Sequence, residues 1–330
     1  MGIGPSTRAS RGPTQRGPAL AVTGASGALG GALLQRLLAR RDVSRVVVFD
    51  LRPPAVEHAR LHFQPLDLTA TSAGRTIGDA LAQFGVEALA HLPLLTAPAD
   101  PAYAHEVEAI GTLRVLAGLG PSAVRRVVMA STTSVYGASP HHPNHLPETA
   151  PLLAKSRSRY LRDKVELERQ AQSFQAAHPE RALTVLRFPP IVGPGVYDPF
   201  AYYLARRLAP VVLGFDPLVQ LIHVDDALSA IERALFSALP GVFNVGSRGV
   251  LPLSAVLAGA RVRRLPLPHL FTEQAVKLTN LLGLTRTPPA LIDFVRHLCV
   301  ADLRKAEELA LGGAHTIQDA LDAFAHRERT

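Results

Sequence analysis

Tyr160 and Lys164, in the run Tyr160-Leu161-Arg162-Asp163-Lys164, stand four residues apart and share one face if that segment is helical. A phenol beside an ammonium is an acid–base pair. A free tyrosine titrates near about pH 10 and is a poor base at neutrality, but a neighbouring cation stabilises the phenolate and lowers that value. Tyr160 would then take a proton from a hydroxyl while hydride leaves the same carbon. The spacing alone occurs by chance on many helices, so the pair needs companions. A third group is offered upstream by Ala130-Ser131-Thr132-Thr133-Ser134-Val135-Tyr136-Gly137, a row of hydroxyls where a strand should end. A hydroxyl there can orient a substrate oxygen, although capping of backbone groups is its commoner use.

A departing hydride needs an acceptor, and the N-terminal part of the chain suggests one. Thr23 precedes a G-x-x-G-x-x-G turn, in which Gly24, Ser26, Gly27, Ala28, Leu29 and Gly30 form a candidate pyrophosphate cradle. Glycines let backbone N–H groups approach the phosphates, and a helix opening there adds favourable dipole charge. Asp50 closes the next strand-like run, twenty residues beyond Gly30. An acid at that place accepts hydrogen bonds from an adenosine ribose and repels a 2′-phosphate, which favours NAD over NADP. Arg52 works in the opposite direction. Asp67 and Leu68 follow a third short strand and are candidates for contacting adenine, with an ordinary turn aspartate as the alternative.

The elements that must hold these residues alternate. Strands are expected at Ala19–Thr23, Arg45–Phe49, Ala88–Leu92, Val124–Ser131 and Leu183–Phe188, and helices at Leu29–Ala39, Tyr103–Gly118 and Tyr160–His178. Short β-branched runs such as Arg45–Phe49 are what a buried parallel strand requires. The alternation predicts an α/β chain of Rossmann type: a doubly wound parallel sheet with right-handed crossovers and a smaller C-terminal α/β lobe for substrate. Residues 1–18 read as a disordered basic tail and 19–188 as the dinucleotide-binding domain. Residues 218–246 return to that domain, Val219–His223 as a strand and Val224–Leu235 as a helix. Residues 189–217 and 247–330 read as the lobe, with strands at Phe243–Val245, where the last third begins, and Arg261–Leu265. Helices are expected near Phe271–Leu282 and Thr316–His326.

Composition narrows the class. The chain has 330 residues, 47% of them hydrophobic, and a net charge of +8. The charge is spread along the chain and partly carried by Arg8, Arg11 and Arg16 of the tail, so it suits anionic small ligands better than nucleic acid. No apolar run is long enough for a membrane span and no secretory signal is evident, which fits a cytoplasmic protein. A single cysteine, Cys299, excludes an intrachain disulfide framework and a cysteine-based structural zinc site.

With these pieces in order, the chain resembles the extended short-chain dehydrogenase/reductases, the NAD-dependent epimerase/dehydratase group, and among them UDP-glucose 4-epimerase-like members. The resemblance runs from about Ala19 to His326 and rests on TGASGALG, Asp50, His91-Leu92-Pro93, ASTTSVYG, YLRDK, LRFPPIVGPG from Leu186, Ile222–Asp226 and Gly241–Ser247. It implies that NAD is the cofactor and that Leu92, Pro93 and Pro189 line it together with Tyr160 and Lys164. It implies Thr132 as the catalytic hydroxyl, with Thr133 its nearest rival, and a homodimer paired through the Tyr–Lys helix and the helix before it. The expected activity is hydride transfer at a sugar or nucleotide-sugar hydroxyl, with a small molecule as partner and neither nucleic acid nor membrane.

Departures limit what carries over. Pro190 stands where sugar-nucleotide epimerases usually have Asn, Val219 where they often have Arg, and Pro93 where alanine is usual. Losing two polar contacts keeps a second reading open, a dehydrogenase or reductase of a less polar alcohol or ketone, sterol- or polyketide-like. A third is a non-catalytic dinucleotide sensor or nucleic-acid-binding protein, against which Thr132, Tyr160 and Lys164 argue. Thr133, Pro190 and Tyr197 are substrate-side candidates, Tyr202 and Tyr203 falling nearby. No metal is expected: Asp225 and Asp226 are adjacent and cannot both face a ligand beside His223. His141, His142 and His145 read as a solvated loop.

Overall fold

A computed structural model describes residues 17–93, 101–120, 122–153, 159–194, 199–205, 207–282 and 291–327 of the chain. The tail up to residue 16 and Tyr197 lie outside the described residues. Seven strands build one parallel sheet: β1 (Ala19–Thr23), β2 (Arg45–Asp50), β3 (Leu61–Pro65), β4 (Val86–His91), β5 (Arg126–Thr132), β6 (Ala182–Phe188) and β7 (Gly241–Asn244). Their order is β7-β6-β5-β4-β1-β2-β3, with Ala21 of β1 opposite both Val47 of β2 and Leu89 of β4. The sheet is therefore wound in both directions from β1 and β4, and the crevice beyond their C-terminal ends is where such sheets bind ligands.

Val46, Val47 and Val48 are fully buried because helices cover both faces of the sheet. On one side, α1 (Ala28–Ala39) sends Leu33, Leu34 and Leu37 against Ala227, Ile231 and Leu235 of the later helix Val224–Phe236. On the other, α2 (Ala73–Phe84) packs against the end of a long crossover, which packs in turn against the helix that carries Tyr160. That crossover is expected as one helix over Tyr103–Gly118. It is instead α3 (Pro101–His105), a π-helical turn at Glu106–Ile110 and α4 (Gly111–Gly118). The Gly111 N–H reaches back five residues to the Glu106 carbonyl, so the turn is wider than an α-turn by one residue. The Tyr160 helix is α5 (Arg159–Ala177).

Val219–His223 is not a strand of the central sheet. Leu218–Val219 pairs antiparallel with Leu251–Pro252, and Ile222–His223 pairs with Ile191–Val192. Gln220 divides the run, its side chain bonding both backbone groups of Ala301, and a helix starts directly at Val224. The chain must cross the sheet by that helix before it can lie beside β6. The returning strand is accordingly β7, so Phe243 extends the central sheet and does not open a separate lobe. A further apolar cluster gathers Val192, Tyr203, Leu221, Val256 and Leu321, with Leu208–Val212 pairing parallel with Arg263–Leu267. No helix among the described residues is long and apolar enough to cross a membrane.

Candidate active site

The glycine turn is shaped by close approaches. Gly24 has φ +79°, and a Cβ on it would lie 2.7 Å from the Leu92 carbonyl oxygen at the end of β4. A Cβ on Gly30 would come within 2.1 Å of the Gly24 carbonyl oxygen, so the first turn of α1 sits directly on the loop. Gly27 caps α1, and the N–H groups of Ala28, Leu29 and Gly30 open the helix without intrahelical acceptors. Leu29 contributes only backbone there, since its side chain is in the core. Asp50 reaches the loop from β2: it accepts the Ser26 N–H at 2.8 Å, the Ser26 hydroxyl at 2.8 Å and the Leu51 N–H at 2.8 Å. Arg52 is exposed close by. Asp67 accepts the Thr69 N–H and hydroxyl, a turn aspartate, and the Leu68 carbonyl accepts from Arg114.

Tyr160 and Lys164 share a face of α5, with the Lys164 Nζ 5.5 Å from the centre of the Tyr160 ring. Lys164 is completely buried and is held by two acceptors. One is the Pro93 carbonyl at the end of β4; the other is Glu108 Oε1 at 2.9 Å, itself 1% exposed on the π-helical turn. Sequence reasoning passed over Glu108. Its signal was an acid set among Val107, Ala109, Ile110 and Gly111, where a solvated helix face would be more polar.

A chain of buried hydrogen bonds links this pair to the glycine turn. Thr112 Oγ1 donates to the Glu108 carbonyl, so His91 Nε2 must donate to Thr112 Oγ1 at 2.9 Å, and His91 Nδ1 accepts from Thr23 Oγ1 at 2.6 Å. Burial, and then the charge of Lys164, push the His91 imidazole down to about 3, so it serves as a neutral bridge.

The hydroxyl row divides into three roles. Thr132 ends β5 and accepts the Ser134 N–H at 3.2 Å, which leaves its own O–H to donate. Thr133 is buried and lines a small cavity with Pro190, Phe200, Val219, Leu291 and Phe294. Ser131 donates to Glu168, which is paired with Arg187 at 2.5 Å. Both α5 and the short helical turn Thr133–Tyr136 pack together, which brings the hydroxyls and Tyr160 onto neighbouring elements. Pro189 is buried beside Gly246, and the Pro190 carbonyl accepts the Ile222 N–H. Tyr203 is a core residue whose hydroxyl donates to the Pro210 carbonyl. Cys299 also lines the cavity, and burial pushes its thiol up to about 12.

His223, Asp225 and His315 bring ligand-type atoms within 4.8 Å of one another. Each has a protein partner in place. His223 Nδ1 accepts the Asp225 N–H, Asp225 pairs with Arg36 at 2.6 Å, and His315 Nδ1 meets Asp226 at 3.0 Å. Asp226 also accepts the Ala314 and His315 N–H groups, tying the C-terminal loop to the helix that begins at Val224.

A model of the NAD dependent epimerase/dehydratase family matches residues 20–246. An uncharacterised protein of Mycobacterium tuberculosis (H37Rv) is 32% identical over 252 residues, 75% of this chain and 66% of that protein. A Mycobacterium bovis protein matches equally, so the chain spans just under two thirds (66%) of the length of these curated relatives. Among solved structures, the chain is similar to a UDP-glucose 4-epimerase of Thermotoga maritima with UDP-glucose, at 18% identity and TM-score 0.70 over 94% of this chain and 98% of that one. A dTDP-glucose 4,6-dehydratase of Streptomyces venezuelae with NAD bound gives 19% and 0.71, over 94% and 97%. A UDP-glucose 4-epimerase of Thermus thermophilus with NAD gives 20% and 0.71, over 94% and 99%. At these identities the likeness establishes a shared fold.

Proposed function

The chain belongs to the NAD dependent epimerase/dehydratase family, and from that premise we propose that it binds NAD and oxidises and re-reduces a hydroxyl-bearing carbon of a sugar or nucleotide sugar. The residues present fit the cofactor. A dinucleotide's pyrophosphate has the free N–H groups of Ala28, Leu29 and Gly30 to receive it, and the close packing at Gly24 and Gly30 keeps that approach clear. Asp50 has lone pairs beyond those used by Ser26 and Leu51 for ribose hydroxyls. When bound, NAD accepts hydride and gives it back. Tyr160 Oη takes the alcohol proton as the substrate carbon is oxidised and returns it as the carbonyl is reduced. The Thr132 hydroxyl, with its own proton free, holds the substrate oxygen.

The observation that carries this reading is the buried Lys164 ammonium, fixed beside the Tyr160 ring on a helix packed against the end of β5. To test it, the purified protein is examined by mass spectrometry for a co-purifying dinucleotide and assayed with UDP-sugars and with simple alcohols. Retained NAD and isomerisation without net cofactor change are expected, with turnover lost in Tyr160→Phe. A protein that takes up no dinucleotide, or a Tyr160→Phe variant as active as the native chain, would overturn the reading.

A second reading is favoured by the cavity beside Thr133. Pro190, Val219, Phe200, Leu291 and Phe294 give it apolar walls, and no Lys or Arg is among the described residues lining it. A diphosphate wants cations, whereas a less polar secondary alcohol does not. Net NAD reduction with such alcohols, and none with UDP-sugars, would select this alternative. We infer in addition that two copies pair through α4 and α5, where Leu113 leaves apolar surface 52% exposed; sedimentation of the native chain against Leu113→Glu tests that.

A further inference from the structure

We propose that Glu108 is a positioning residue that keeps Lys164 charged and fixed beside Tyr160, an inference that rests on the hydride chemistry proposed above. An ammonium with no solvent exposure loses its proton readily unless a counter-charge is at hand. Glu108 supplies that charge at 2.9 Å and is as dry as its partner. The Pro93 carbonyl takes a second N–H, so the ammonium is anchored from two elements and keeps one of its three donors for a ligand.

Three features mark this contact as built. First, Glu108 reaches Lys164 from the π-helical turn between α3 and α4, and such single widened turns recur where a helix must aim a functional side chain. Second, the Glu108 carbonyl is held in turn by Thr112, His91 and Thr23, so its backbone is pinned to the end of β1 next to the glycine turn. Third, among the described residues, the neighbouring carboxylates of α5 have partners of their own. Asp163 on α5 pairs with His105 of α3 at 2.8 Å, and Glu168 on α5 pairs with Arg187 of β6. His91 of β4 is neutral, and the end of β5 presents hydroxyls. Tyr160 shares the helix face.

The consequence concerns protons. With Glu108 in place, the Lys164 Nζ has its counter-charge at 2.9 Å and holds a donor beside the tyrosine. Without that carboxylate the buried amine would be stabilised by a carbonyl alone and would deprotonate at lower pH.

The direct test follows the Lys164 Nζ by nitrogen-15 NMR in protein labelled at lysine, without substrate, with Lys164→Met assigning the signal. Native protein is expected to keep the ammonium through neutral pH. Glu108→Gln is expected to lower the titration by at least about one pH unit, and Glu108→Asp to restore most of the native behaviour. The alkaline limb of kcat should move with it, leaving KM for the substrate little changed. An unchanged Lys164 titration in Glu108→Gln would overturn the proposal, as would Glu108→Asp matching Glu108→Gln, which would mean shape alone matters. Should Glu108→Gln fail to fold, the double variant with Lys164→Met decides: higher thermal stability than the single variant supports the charge pairing, and equal stability overturns it. The NMR outcome does not depend on turnover, so a failure of the proposed reaction would show separately, in the NAD and Tyr160→Phe experiments.

Discussion

Helix α5 carries two buried ion pairs one turn apart, and they are built differently. Lys164 and Glu168 are four residues apart, the spacing of a surface helix pair, yet neither uses the other. Glu168 takes Arg187 from β6, with Arg187 Nε and Nη2 both on the carboxylate while Nη1 reaches the Tyr136 hydroxyl and the Glu148 carbonyl. The Tyr136 hydroxyl donates its own hydrogen bond to Asn244 Oδ1 of β7. That network is closed, and a guanidinium does not give up its proton. It ties α5 to β6 and β7 as structure. Lys164 has one carboxylate and one carbonyl, a spare donor and a titratable nitrogen. An incompletely satisfied, titratable cation is suited to chemistry; a saturated, permanently charged one is suited to holding strands in place.

The sharpest way to break the contrast is to remove the group that only one side serves. Tyr160→Phe should cost roughly 10²–10⁴-fold in turnover, read from cofactor absorbance, with the unfolding midpoint nearly unchanged. The reverse holds on the other side. Arg187→Met strands a buried carboxylate and should cost about 3–5 kcal/mol in urea unfolding, much of it recovered when Glu168→Leu is added.

Acid acts on the Lys164 side. His91 in the folded protein titrates at about 3, far below its ordinary 6.5, because burial and then Lys164 oppose its charge. The folded state therefore binds fewer protons than the unfolded chain between those values. This contribution is fully present above about pH 6.5 and is lost as pH falls toward 3. Between pH 6.5 and 5 the loss is about 2 kcal/mol, and His91→Gln should flatten that part of the stability curve measured by urea midpoints. The smallest effect is expected at the half-exposed Arg36–Asp225 pair, where Asp225→Asn should change stability by at most about 0.5 kcal/mol, a control that separates buried pairs from surface ones.

Much of the central sheet was legible. Ala19–Thr23 matches its expected bounds, and the neighbouring strands differ by a residue or two at their ends, because runs such as Val46-Val47-Val48 have few alternatives to a buried strand. The glycine turn, Asp50 and the Tyr–Lys pair were legible for a related reason. Each depends on local geometry that its own residue types impose. Less local features escaped. The π-helical turn at Glu106–Ile110 has no periodic signature in so short a segment. Val219–His223 has strand composition, but its neighbours in space decide which sheet it joins.

The sequence by itself determined the alternation that makes a doubly wound sheet, the glycine turn before α1, and the presence of a phenol and an ammonium on one helix face. These follow from the steric freedom of glycine, the preferences of β-branched residues and the 3.6-residue period of a helix. Tertiary structure alone decided which carboxylate faces which cation. Lys164 and Glu168 are neighbours along α5, but each is turned into a different dry interior, where the partner available is the one another element brings: Glu108 from the crossover and Arg187 from β6. Inside a low dielectric an unpaired charge is too costly to leave alone, so the fold settled the pairing, and with it which of the two cations is saturated by its partners.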